Sequence, residues 1–140
     1  MGPVIVRAAN AFRNEILAGN HTMVADEPPD AGGTDAGPTP YDFLSAALGT
    51  CTSMTLHFIA KRDGIPLEGV EIHVTNDRMY AKDCADCLTH SGYIHKFTVR
   101  IKLEGNLTEE QRQKLLAIAK RCPVYKTLTS EIRIDEELVG

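Results

Sequence analysis

Apolar and polar positions alternate most strictly along Phe97, Thr98, Val99, Arg100, Ile101, Lys102 and Leu103, and nearly as strictly from Val70 to Thr75. Period-two alternation predicts two half-buried antiparallel strands. The first quarter of the chain is shorter in rhythm. Val4 to Val6 is apolar, Gly19 and Asn20 punctuate, and Thr22 to Val24 resumes a β-prone run, the pattern of a hairpin or meander. Residues 26–40 hold four of the seven prolines and three of the eleven glycines, a density no helix interior or central strand tolerates. They predict a long loop, and loops of that length usually serve a site or a partner.

A helix opens at Pro40, with Thr39 as its cap and Asp42 in its first turn, and runs to about Arg62, where Gly64 ends it. Helical spacing puts Leu44, Ala47, Leu48, Met54, Thr55 and Phe58 around Cys51. Phe43, Ala46, Gly49, Ser53 and Ala60 lie on the opposite face. Neither face is a wet one, so the helix is expected to be buried all round. Further on, Gly105 and Asn106 end the second alternating strand, and Thr108 with Gln111 has the form of a capping box for a helix to about Lys120. Leu115, Ile118, Ala119 and Cys122 continue its apolar stripe. Pro123 breaks it, predicting a second short helix through Thr127 or Leu128 and a last strand from Glu131 to Ile134.

At 140 residues the chain has the length of a single domain, 1–140. Fifteen basic against nineteen acidic residues give a formal charge of -4 without a long block of either sign, which argues against nucleic acid and anionic membranes as partners. The longest apolar stretch is interrupted by hydroxyls and His57, and the N-terminus shows no basic segment followed by an apolar one. The expectation is a cytoplasmic protein with no membrane span. There is no internal repeat, phosphate-binding glycine loop, Ser-His-Asp order or metalloprotease motif.

The candidate chemistry lies in four cysteines. Burial disfavours a thiolate, so Cys51 on an apolar helix reads alone as a core filler. Its neighbours Gly49, Thr50, Thr52, Ser53 and Thr55 supply hydroxyls and close approach, which either a site or tight packing would use. Pro123 at a first helical position makes Cys122 the cap, its sulfur beside free N–H groups and the positive end of the helix dipole. That setting lowers a thiol's pKa, with Arg121 and Lys126 able to add to it. A cysteine merely closing the stripe after Ala119 is the competing reading. Cys84 and Cys87 form a lone C-x-x-C between the alternating strands, half of a tetrahedral zinc site if His90, His95 or a partner subunit completed it, or otherwise two loop thiols.

Gly32 to Leu56, read with Ala119 to Leu128, closely resembles the OsmC/Ohr family of osmotically inducible and organic hydroperoxide resistance proteins. Ala25 to Pro28 and Asp83 to Cys87 resemble its OsmC-like branch with the Asp-Cys-x-x-Cys motif. The resemblance implies an α+β fold forming an intertwined homodimer, with two long central helices between curved antiparallel sheets. It implies a thiol-dependent peroxidase needing no cofactor. Cys51 would attack an organic hydroperoxide and become a sulfenic acid, Cys122 would condense with it to a disulfide, and a dithiol would reduce that. In the family a glutamate near the helix start pairs with an arginine that supports the thiolate. Here Tyr41, followed by Asp42, takes the glutamate's position, and the loop from Asp26 to Asp35 has no arginine, leaving Arg7 and Arg13 as candidates. The alternatives are a non-peroxidase member binding an apolar small molecule, or a zinc-binding or structural dimer using Cys84 and Cys87.

Overall fold

A computed structural model describes residues 2–140, apart from the side chains of Ala9 and Asn10. Its contacts divide the chain into two compact units, 1–44 and 45–140.

In the first unit, β1 (Val4–Asn10), β2 (Arg13–Ala18) and β3 (His21–Ala25) form an antiparallel meander in that spatial order. Ile16 stands opposite both Val6 and Met23. Residues 26–40 follow as the expected loop, interrupted by one 3₁₀ turn at Pro29–Ala31. Its shape is set by Asp26, which is 2% exposed. One carboxylate oxygen accepts from the Glu27 N–H at 2.8 Å. The other accepts from the Thr34 hydroxyl at 2.7 Å and from the N–H groups of Thr34 and Ala36 at 3.2 and 3.1 Å. A buried carboxylate satisfied this fully replaces the ladder hydrogen bonds that the prolines deny the backbone.

The long helix α1 (Pro40–Asp63) has nearly the predicted bounds. Thr39 and Asp42 cap it reciprocally, the Thr39 N–H donating to Asp42 Oδ2 at 3.0 Å and the Asp42 N–H to Thr39 Oγ1 at 3.2 Å. Gly64, at φ 67°, supplies the left-handed residue that stops it. By length and mean hydropathy, 1.3 over its most apolar window, α1 could cross a membrane. In this fold it lies instead on a hairpin.

That hairpin, in the second unit, pairs β4 (Gly69–Tyr80) with β5 (Tyr93–Glu104) in one antiparallel register along their whole length. Val70, Ile72 and Val74 turn inward while Glu71, His73 and Thr75 stay in water, as the alternation predicts. α2 (Glu109–Ala119) carries the predicted capping box between Thr108 and Gln111, and α3 (Pro123–Leu128) follows. Leu56, Ile59, Ala60, Ile65, Leu115 and Ile118 make the buried core, joined by Val70, Ile101 and Leu103 of the hairpin. Leu56 and Leu115 are wholly buried, each worth about 2 kcal/mol relative to exposure. Gly49 lets α1 approach closely, since a Cβ there would stand 3.3 Å from the Val74 side chain.

Within one chain α1 is covered on one face: Leu48, Thr52, Leu56, Ile59 and Ala60 are buried while Met54 and Phe58 are 70% and 67% exposed. One hairpin covers one face, and the other is the face the homodimer expectation gives to a second copy. One expectation is corrected: the strand from Glu131 to Ile134 is absent. Residues 131–140 are exposed and form no regular element, for alternation becomes a strand only where a neighbouring strand offers its ladder. Each chain contributes one long helix, so a pair of central helices would take two copies.

Candidate functional site

The second unit brings Cys51 and Cys122 together. Cys51, half-buried in the middle of α1, and Cys122, wholly buried, are both free thiols. A side-chain hydrogen bond joins their sulfurs, and the Val124 N–H is directed at both. Cys122 holds the capping position that Pro123 predicts, its sulfur accepting from the Tyr125 N–H at 3.5 Å. Thr52, whose hydroxyl donates to the Leu48 carbonyl at 2.8 Å, and Thr55 line the same place from α1.

The two thiols are driven apart in acidity. Burial pushes Cys51 up, and its hydrogen bond to Cys122 holds its proton in place, with only partial relief from the Val124 N–H. Burial also opposes ionisation of Cys122, but the Cys51 S–H and the Tyr125 N–H outweigh it and bring its pKa below the ordinary thiol value. Of the two sulfurs, Cys122 is the better placed to carry negative charge. Access runs the other way. Cys51 opens onto an apolar hollow of about 760 Å³ walled by Ala47, Met54, Phe58, Ile59 and Val124, with Arg121 as its charged residue.

The other predicted residues fall on other elements or positions. Arg7 faces Glu15 across the β1–β2 ladder and Arg13 begins β2, both in the first unit. Tyr41 is in the first turn of α1, and Asp42 is occupied as half of its cap. His57 bonds the Ser53 carbonyl at 3.0 Å and His73 the Glu71 carboxylate at 2.9 Å, both on the surface. Cys84 and Cys87 are joined as a disulfide with Cα atoms 5.4 Å apart. The ligand-type atoms of Cys84, Asp86 and Cys87 lie within 4.8 Å of one another, a group that includes Asp86 rather than His90.

No periodicity in the sequence marks Asp26. Its carboxyl is lowered from 3.8 to about 2, first by the Thr34 hydroxyl and then by the Glu27 N–H. The available signal was an aspartate ahead of a glycine-rich stretch, where a side-chain acceptor commonly organises backbone N–H groups.

Fold and site together define a small α+β protein with a helix-borne cysteine hydrogen-bonded to a helix-capping one. The sequence profile described as OsmC-like protein matches residues 32–137, and the chain belongs to the OsmC family. No curated protein matches the chain in sequence. Solved structures share the fold. An OsmC-like protein from Mycoplasma pneumoniae superposes with a TM-score of 0.71 at 16% identity, covering 90% of this chain and 85% of its own. The organic hydroperoxide resistance protein OsmC of Legionella pneumophila gives 0.65 at 19% identity, covering 92% and 90%. The organic hydroperoxide resistance protein OhrB of Bacillus subtilis gives 0.63 at 22% identity, covering 91% and 89%.

Proposed function

We propose that the protein is a cytoplasmic, thiol-dependent peroxidase that reduces organic hydroperoxides through Cys51 and Cys122. The observation that carries this reading is the split between charge and access: Cys122 stabilises the negative charge, and Cys51 meets the apolar hollow. Transfer of the Cys51 proton to an ionised Cys122 frees a Cys51 thiolate facing the substrate. Its sulfur attacks the terminal peroxide oxygen, the O–O bond breaks, and the alkoxide leaves as alcohol with the proton held by Cys122. Cys51 is then a sulfenic acid. Cys122, deprotonated by the departing alkoxide, attacks that sulfur, the displaced hydroxide takes a proton from solvent and leaves as water, and a Cys51–Cys122 disulfide remains for an external dithiol to reduce. Apolar walls favour alkyl over hydrogen peroxide, and Arg121 is the cation best placed for the role left open by the arginine-free loop.

The two units are read as one OsmC-like domain, because the family match crosses their boundary. The exposed Met54 and Phe58 side of α1 is read as the face a second copy covers in a homodimer, closing the hollow from solvent. Cumene hydroperoxide consumption that disappears in Cys51→Ser supports the peroxidase. Consumption that persists contradicts it and leaves the hollow as a binding site for an apolar molecule. The grouping of Cys84, Asp86 and Cys87 favours a second reading, a zinc-holding dimer after reduction. Metal analysis of the reduced protein tests it.

A further inference from the structure

We infer that Cys84 and Cys87 are a second redox centre, a surface dithiol that takes the disulfide from Cys51 and Cys122 and hands it to an external dithiol reductant. The inference rests on the peroxidase reading for its purpose, but not for its chemistry.

Three observations carry it. First, both pairs are close enough to form disulfides, the outer sulfurs being bonded and the inner ones sharing a hydrogen bond. Next, Cys84 and Cys87 share a cavity of about 580 Å³ with Tyr125, Leu128 and Thr129 of α3 and with Leu48 of α1. Tyr125 is also the residue whose N–H holds the Cys122 sulfur, so one residue contacts the inner pair and lines the outer pair's cavity. Finally, Asp86 Oδ1 lies 3.4 Å from Cys84 Sγ, placed to accept a thiol proton once the pair is reduced.

Need and means agree. An inner disulfide would involve a wholly buried Cys122, whereas Cys84 and Cys87 are half-buried on an otherwise exposed excursion between β4 and β5. Cys122 caps a helix of only six residues, and opening so short a helix costs little. Displacement of its first turn, which carries Tyr125 of the cavity lining, is the movement the transfer requires. One outer thiolate attacks Cys122 Sγ, the Cys51–Cys122 bond breaks, and Cys51 leaves and takes a proton. The other outer thiol then attacks the sulfur of its neighbour and expels Cys122, which is protonated in turn. Two electrons and two protons have moved inward, and the Cys84–Cys87 disulfide is reduced by an external dithiol that becomes a disulfide itself.

The test oxidises wild type and the Cys84→Ser/Cys87→Ser double variant completely with diamide, then follows recovery of the Cys51 and Cys122 thiols in dithiothreitol at about 0.1 mM. An intramolecular dithiol acts at an effective concentration of millimolar order, so wild type recovers about tenfold faster. Equal rates overturn the inference. Peptide mapping of the two single variants under limiting diamide gives a second measurement should the double variant misfold. A peptide linking Cys122 to the remaining outer cysteine in one of them supports the relay. Linkage of Cys51 to Cys122 alone in both overturns it. Replacing diamide by cumene hydroperoxide separates the two claims. Failure to oxidise the inner pair then removes only the peroxidase, and inner oxidation with equal recovery rates removes only the relay.

Discussion

The two cysteine pairs of the second unit reach proximity by opposite routes. Cys84 and Cys87 are three residues apart and local geometry alone joins them. Cys51 and Cys122 meet only because α1 packs on the hairpin and α3 restarts at Pro123 with a cysteine as its cap. The local pair is half-buried and disulfide-bonded, and the distant pair, with Cys122 wholly buried, is free and polarised by hydrogen bonds. Sequence spacing therefore reveals only the local pair, while burial and backbone N–H groups decide which pair can hold a usable thiolate.

The largest test of that contrast is substitution. Cys51→Ser lowers cumene hydroperoxide reduction by at least about a thousandfold, as loss of a nucleophile does, whereas Cys84→Ser/Cys87→Ser leaves the rate of the first oxidation within about twofold. Equal losses in stopped-flow assays would erase the distinction. Cys122→Ser comes next. Its Cys51 still reacts once, but without a resolving thiol it proceeds to sulfinic acid, seen by mass spectrometry as a gain of two oxygens, and turnover stops. Arg121→Ala lowers kcat/KM by about tenfold if its charge supports the attacking sulfur, and Arg121→Lys restores most of it.

Acidity sharpens the comparison further. The lowered Cys122 pKa means that one thiolate exists below the ordinary thiol range and is lost as pH falls through that value. Thiolate absorbance should show this early step in wild type. Tyr125→Pro, which removes the N–H on the sulfur, moves it upward, and Cys122→Ser abolishes it. The smallest effect lies outside both pairs. Asp26, with a folded pKa of about 2 against 3.8, contributes stability that is complete above its unfolded value and lost as pH drops toward about 2. Proteolysis of the 26–38 loop should rise over that interval in wild type. In Asp26→Asn it should be high throughout, with the redox behaviour of all four cysteines unchanged.

What was legible in the sequence was local. The ends of α1 and α2, the Thr108 capping box, the β4–β5 alternation and the capping role of Cys122 depend on residues within one turn or one strand of each other, and all appear where expected. What was not legible depends on who covers whom. The wheel of α1 could not tell that Leu56 meets a hairpin while Phe58 meets none, and the alternation after Glu131 could not supply its missing neighbour. The contact between Cys51 and Cys122 needed the whole helix–hairpin packing, so residues alone left each thiol with two readings and only the family resemblance linked them. The role of Asp26 was not legible because its partners, Thr34 and Ala36, are dispersed along a loop with no periodicity.

The central claim is that Cys51 and Cys122 act as one hydrogen-bonded, disulfide-forming pair. It is tested most directly by treating reduced Cys84→Ser/Cys87→Ser protein with one equivalent of cumene hydroperoxide and mapping its peptides. The account predicts loss of both remaining thiols and a peptide joining Cys51 to Cys122. Unreacted thiols, or an oxidised Cys51 beside a free Cys122, would contradict it.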